Sequence, residues 1–181
     1  MSIAKKSKDE KIRLEVEITT SSWPELVSVA NEIKSQWEKT GAGVTIHVLS
    51  VPEIQQAIKE RDYTSLLFGE VLGLDPDPFS FWHSSQKKDP GLNLALYDNK
   101  DSDKLLEDAR QTLDPTSRKT KYDQLQKVII SDAPAVFLYS PDYLYIQPKK
   151  IKNNNTKIVS IPSNRFDTIH KWYIDTHRVK R

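Results

Sequence analysis

The chain has 181 residues, with 27 basic and 25 acidic side chains, ten prolines, five glycines and no cysteine, and 37% of its residues are apolar. That length fits one domain, the missing cysteine removes disulfide staples, thiolate metal sites and thiol nucleophiles, and no stretch approaches the roughly 18 apolar residues of a membrane span. The formal net charge is +2; basic residues are spread among acidic ones and enriched only at Lys5–Lys8 and Arg178–Arg181, which is not the clustered stripe of a nucleic-acid binder. Residues 1–10 read as a disordered leader, because Met1–Arg13 is polar and has no apolar core region of the kind a signal peptide needs.

Ile12, Leu14, Val16 and Ile18 alternate with Arg13, Glu15, Glu17 and Thr19, a period of two that predicts a strand with one buried face. The period then changes. Ser22-Trp23-Pro24-Glu25 has the pattern of a capping box, followed by Leu26, Val29, Ala30, Ile33 and Trp37 at helical spacing up to Gly41. Trp23 and Trp37 share that spacing, and Trp37 reads as core packing. Val44, Ile46 and Val48 predict a second strand, Ser50-Val51-Pro52-Glu53 caps a second helix through Ile54, Ala57 and Ile58, and Tyr63–Phe68 predicts a third strand. Strand, helix, strand, helix, strand with short connections is a βαβαβ unit, which predicts an α/β fold with a parallel sheet.

Residues 69–99 combine glycine and proline with Phe79, Phe81 and Trp82 and sustain no period, so they read as a long ordered loop. Leu105, Leu106, Ala109 and Leu113 then give one helix an apolar face. Asp114-Pro115 caps another, with Tyr122, Leu125, Val128 and Ile129 facing inward and Pro134 closing it. Ala135–Tyr139 and Tyr143–Ile146 read as extended, Lys149–Lys157 as a solvated turn, Ile158–Pro162 as short and extended, and Phe166, Ile169, Trp172 and Tyr173 as one or two helical turns.

Ligands of open parallel α/β sheets bind beyond the carboxyl ends of the strands. That rule points to Thr19–Trp23, Ser50–Glu53 and, richest in glycine, carboxylate and aromatic residues, Gly69–His83. Asp75 and Asp77 are of the type that ligates hard cations, although acidic turn capping explains them as well. Together with His83 they define a metal-dependent enzyme as one reading. None of His47, His83, His170 and His177 has zinc-motif spacing or an evident carboxylate partner, which favours structural roles. Ser84 and Ser85 lack the glycine-flanked elbow of a nucleophile, and Gly41-Ala42-Gly43 precedes a strand, unlike a phosphate loop. Trp82 is either the anchor of its loop or the wall of a pocket.

A series of strings in order carries a resemblance: Tyr63-Thr64-Ser65-Leu66-Leu67-Phe68-Gly69, Asp75-Pro76-Asp77-Pro78-Phe79-Ser80-Phe81-Trp82-His83-Ser84-Ser85, Asn93 with Tyr97-Asp98-Asn99, Asp132-Ala133-Pro134-Ala135-Val136-Phe137-Leu138-Tyr139, and Arg165-Phe166 with Trp172-Tyr173. From about Arg13 to Ile174 the chain resembles the second lobe of bacterial family 5 solute-binding proteins, the oligopeptide- and dipeptide-binding receptors of ABC transporters. The resemblance implies a type II periplasmic-binding-protein lobe over residues 11–148. It also implies a crossover and tail over residues 149–181 that would pack on an absent first lobe. The implied activity is non-enzymatic: an extended oligopeptide is clamped between two lobes and delivered to a membrane permease, with the receptor periplasmic or extracellular and membrane-associated, and with no cofactor, metal or nucleic acid.

The ligand-binding residues so implied are Gly69, Glu70, Val71, Asp75, Trp82, His83, Asn93 and Tyr139. One departure stands out. Peptide-binding members often carry an aspartate soon after the glycine matching Gly69, to pair with the ligand's ammonium, whereas Gly69-Glu70-Val71-Leu72-Gly73-Leu74 has only Glu70 to substitute. Two alternatives stay open: a receptor for a non-peptide solute such as a nickel complex, haem or sugar, and a stand-alone interaction module on the same fold. Exposure of Phe166, Ile169, Trp172 and Tyr173 in an isolated lobe predicts concentration-dependent association.

Overall fold

Three parallel strands position everything that follows. In a computed structural model that describes residues 13–73, 76–157, 159 and 161–174, β1 (Glu15–Ser21) lies between β2 (Gly43–Leu49) and β3 (Leu66–Leu67), giving the order β2-β1-β3. The register pairs Ile18 with Ile46 and Thr20 with Leu67. Helices α1 (Pro24–Lys39) and α2 (Val51–Glu60) make the two crossovers and pack against β1 and β2. The α/β fold with a parallel sheet is therefore as expected.

The alternation that predicts β1 holds only through its first half. Ile18, Thr19, Thr20 and Ser21 are all buried, because the strand passes from an edge-like start to a centre covered on both faces. Thr20 is accommodated there by donating its hydroxyl to the Leu67 carbonyl at 3.0 Å. Ile18, Ala42 and Val44, backed by Val16, Ile33 and Leu67, form the core beneath the sheet.

The two capping patterns behave differently. Ser50 is a true cap: Glu53 Oε2 accepts from the Ser50 amide at 2.8 Å and from its hydroxyl at 2.6 Å, which holds the Glu53 carboxyl below its ordinary range. Ser22 is not a cap, because the backbone enters α1 one residue later, with Trp23 at the N-cap and no side-chain cap bond. Gly41, at φ +95°, turns the chain from α1 into β2, a conformation that glycine adopts without a Cβ clash.

The third strand is shorter than the Tyr63–Phe68 expected. Tyr63 turns away and donates its hydroxyl to the Leu94 carbonyl at 2.8 Å, fastening the loop beneath it. The described residues of that loop are ordered, as expected, but not structureless. It contains a one-turn helix, α3 (Phe79–Trp82), and a 3-10 turn at Ser84–Gln86, and it packs on α4 (Lys100–Gln111) and α5 (Pro115–Asp132). Trp82, Tyr97, Leu106, Leu125 and Ile129 form this second core, with Phe79, Phe81, Leu105 and Tyr122 around it. Asn99 and Asp114 cap α4 and α5 by accepting from amides of the first turn. Leu113 departs from its expected place: it follows the end of α4 and is 93% exposed.

Ala135–Tyr139 and Tyr143–Ile146 are irregular and largely exposed among the described residues, with no strand beside them to supply ladder hydrogen bonds. Lys149–Lys157 is more than a turn. It includes β4 (Ile151–Lys152), which pairs antiparallel with β5 (Tyr173–Ile174). Between them lie 3-10 turns at Pro162–Phe166 and Ile169–Lys171, so Phe166 and Ile169 are in helical turns as expected while Tyr173 is in a strand. The expected leader, residues 1–10, and Ile158 and Ser160 lie outside the described residues.

Candidate functional site

Because β1, β2 and β3 are parallel, their carboxyl ends open along one edge of the sheet. At that edge β1 runs into Ser22 and Trp23, and β3 into Phe68, Gly69, Glu70 and Val71. Trp23 is 65% exposed and Trp37 38% exposed on α1, so neither joins the core, against the packing role expected of Trp37. Phe68 and Val71 are also exposed, and a side chain at Gly69 would meet open space. The edge is thus an accessible strip of backbone flanked by apolar surface. Glu70 is its carboxylate, and partial burial raises the acid above its ordinary range.

Tyr139 reaches the same edge from the far end of the chain. Its hydroxyl donates to Glu25 Oε1 at 2.8 Å. The hydrogen bond to the carboxylate raises the phenol's pKa, and burial adds a smaller rise. Glu25 is therefore occupied by Tyr139 instead of closing a capping box with Ser22. Sequence reasoning passed over Trp23 and Glu25 individually, although both fall at the strand-end segment that the crevice rule singles out.

Trp82, His83 and Asn93 do not join that strip. Trp82 is an anchor: it is buried in the second core, edge-on to Tyr97 with ring centroids 6.2 Å apart and tilted against Phe137 at 5.7 Å. Asn93 is fully buried, donates to the carbonyls of His83 at 3.1 Å and Tyr97 at 2.8 Å, and accepts from the Tyr97 amide at 2.9 Å. It closes the loop on itself. Tyr97 in turn donates its hydroxyl to Asp132 at 2.7 Å, and burial together with that bond pushes its phenol far up.

His83 has the carboxylate partners that its sequence context did not reveal. Its Nδ1 accepts from the Ser85 amide at 3.1 Å and lies 2.8 Å from Ser85 Oγ. That places the ring proton on Nε2, which faces Glu107 Oε1 at 3.3 Å and Asp103 Oδ1 at 3.9 Å. The imidazole stacks on Phe79 at 4.1 Å, and the Arg110 guanidinium sits over the Phe79 ring at 4.3 Å. Both partners are on α4, 20 and 24 residues beyond His83, where spacing alone carries no signal.

Asp77 serves the fold. It accepts from the Phe79 amide at 3.2 Å, the turn-capping role, and pairs with Arg110 at 3.0 Å. Asp75 lies outside the described residues. Among the described residues no group of three or more His, Asp or Glu is placed to hold a metal ion, and no helix is long and apolar enough to cross a membrane. Surface depressions line α1 at Asn31, Lys34, Ser35 and Glu38 and the junction of Asp142, Tyr143 and Ile161, away from the strand ends.

No family model matches the chain. Individual relatives do. It is 27% identical over 148 residues to the oligopeptide-binding protein AppA of Bacillus subtilis, covering 81% of this chain and 26% of AppA. It is 31% identical over 132 residues to the probable D,D-dipeptide-binding periplasmic protein DdpA of Escherichia coli, covering 71% of this chain and 25% of DdpA. The solved structure of AppA in complex with a nonapeptide superposes with a TM-score of 0.69 at 25% identity, over 94% of this chain and 33% of that one. That of NikZ from Campylobacter jejuni in complex with Ni(L-His) gives 0.65 at 25% identity, over 92% and 34%. The chain spans about a quarter of the length of the curated relatives it matches. The parallel α/β sheet, the ordered strings and these relatives agree: the chain's homologues are the oligopeptide- and dipeptide-binding proteins of ABC transporters, solute-binding family 5, and it shares their type II periplasmic-binding-protein fold over part of their length.

Proposed function

We propose that this chain supplies one lobe of the substrate-binding component of an ABC peptide importer, with residues 11–148 as the lobe and residues 149–181 as the segment that crosses toward a second lobe. The observation that carries the reading is the fold match over 94% of the chain to a receptor described with a bound nonapeptide. The site supports it: an extended peptide recognised mainly through its backbone needs an accessible main-chain edge with apolar flanks. Gly69, Glu70 and Val71 provide that edge, with Trp23 and Tyr139 nearby.

In this reading Glu70 receives the ligand's ammonium. A carboxylate already pushed toward its neutral form by burial gains most from a cation placed beside it. Trp82, His83 and Asn93 act behind the site by holding the loop in shape, and Asp75 is assigned to the same loop. Closure of two lobes over the peptide is the hinge step that a membrane permease would sense.

The test is thermal unfolding of the receptor in which this chain is joined to its second lobe, titrated with peptides of three to nine residues. The expected result is a concentration-dependent rise in Tm, with E70Q weakening binding about tenfold for peptides with a free amino terminus and little for N-acetylated ones. No shift with any peptide overturns the reading. A shift with Ni(L-His) instead would favour the second reading, a metal-complex receptor, which rests on the match to NikZ.

A further inference from the structure

The strip at Gly69–Val71 is fixed from its ends. Gly69, Glu70, Val71 and Leu72 are in neither helix nor strand and make no hydrogen bond to another described residue. The course of such a segment follows from the rigid elements on either side of it. Upstream, Leu67 ends β3, pairs with Thr20 and accepts from the Thr20 hydroxyl at 3.0 Å. Downstream, the first described residue with a hydrogen-bond partner is Asp77.

Asp77 is fixed twice. Its Oδ1 accepts from the Phe79 amide at 3.2 Å, and its Oδ2 pairs with Arg110 Nε at 3.0 Å. Arg110 projects from α4 and also lies over the Phe79 ring at 4.3 Å, while that ring stacks on His83 at 4.1 Å with the planes 18° apart. His83 returns to α4 through Glu107 at 3.3 Å. Glu107 and Arg110 are three residues apart, so one stripe of α4 grips both ends of α3. The stripe itself is rigid, because Leu106 and Ala109 beside it are fully buried. We propose, on the reading of Glu70 as the partner of the ligand's ammonium, that Arg110 is a positioning residue: through Asp77 it fixes the downstream end of the strip and so places Glu70 for the ligand.

An ion pair half open to solvent adds little to stability by itself. A planar guanidinium held at once by a carboxylate and a ring face fixes direction, which is what a recognition segment without its own bonding needs. The other ion pairs of the helical unit differ in reach. Lys119 pairs with Asp123 inside α5, and Lys121 of α5 pairs with Asp108 of α4. Those pairs brace the helices, whereas the Arg110 pair extends to the loop that continues the strip.

The test is binding by the receptor in which this chain is joined to its second lobe, with one peptide in two forms, free at its amino terminus and N-acetylated. R110Q should weaken the free form about fivefold more than the acetylated form, because only the free form uses Glu70. D77N keeps the oxygen that accepts from Phe79 and loses the charge, so it should reproduce R110Q. In the E70Q background R110Q should no longer separate the two forms. K121Q, which opens the Lys121–Asp108 pair, should bind both forms as the parent does. Equal losses for the two forms mark a general defect of the fold and overturn the proposal, as do an R110Q that binds like the parent and a separation that persists in the E70Q background. A parent that responds to no peptide overturns the reading of Glu70, and the positioning role with it.

Discussion

Tyr139 and Glu25 are 114 positions apart in the chain and share a 2.8 Å hydrogen bond at the mouth of the sheet. The bond ties the irregular segment after α5 to the first turn of α1. A phenol that donates to a carboxylate resists losing its proton. Its pKa is raised in the fold, so the contribution to stability is complete below the unfolded phenol's pKa and is lost as pH rises through the folded value. In E25Q the alkaline absorbance titration should show one tyrosine ionising at lower pH than in the parent, and in Y139F that component should be missing altogether. Superimposable curves for E25Q and the parent would contradict the contact.

Asn93 is a second junction. With no exposure and three hydrogen bonds to backbone groups of the same loop, its replacement leaves buried partners unsatisfied. N93A should lose about 2–4 kcal/mol in urea unfolding, from about 1–3 kcal/mol per orphaned group with partial relaxation. N93D should be no better, because a carboxylate cannot donate to the His83 and Tyr97 carbonyls.

Leu106 and Leu113 separate burial from pattern. They belong to one periodic series, yet Leu106 is fully buried and Leu113 is exposed. L106A should cost about 2–5 kcal/mol through lost contacts and a cavity, whereas L113A should stay within about 0.5 kcal/mol of the parent.

Glu70 gives a pH signature with the opposite sense to an ion-paired carboxylate. Burial raises its pKa, so the folded state binds the proton more tightly than the unfolded chain. The charged form opposes folding, and stability is lost as pH rises from the ordinary glutamate range through the folded value. E70Q should therefore melt higher than the parent at pH 7, with the advantage disappearing when the pH is brought below about 4. An equal difference at both pH values would show that Glu70 acts through packing instead.

The sheet and its helices were legible because each rests on local rules: period two for β1 and β2, and Ser50 with Glu53 for the start of α2. The failures trace to long-range partners. Ser22 reads as a cap as well as Ser50 does, but Glu25 is taken by Tyr139. Tyr63 has the look of a strand residue until the Leu94 carbonyl draws it away. His83 has no carboxylate partner legible in the sequence because Asp103 and Glu107 come from a helix that only folding brings beside it. The edge at Gly69–Val71 followed from topology alone, while Trp23 was obscured by its spacing with true core residues.

Besides its ties to Tyr63, α4 and α5, the loop between β3 and α4 is stitched to itself by its own backbone and one amide side chain. Leu92 donates to the Ser80 carbonyl at 3.1 Å, Asn93 to Gln86 at 3.1 Å and Gly91 to Lys88 at 2.7 Å, and a Cβ on Gly91 would overlap the Gln86 carbonyl. In the exchange of amide hydrogens with deuterated solvent, such a segment is expected to behave as an element in its own right. The amides of Gly91, Leu92, Asn93 and Tyr97 are expected to open together, so that a stretch with little helix and no strand is protected as a unit.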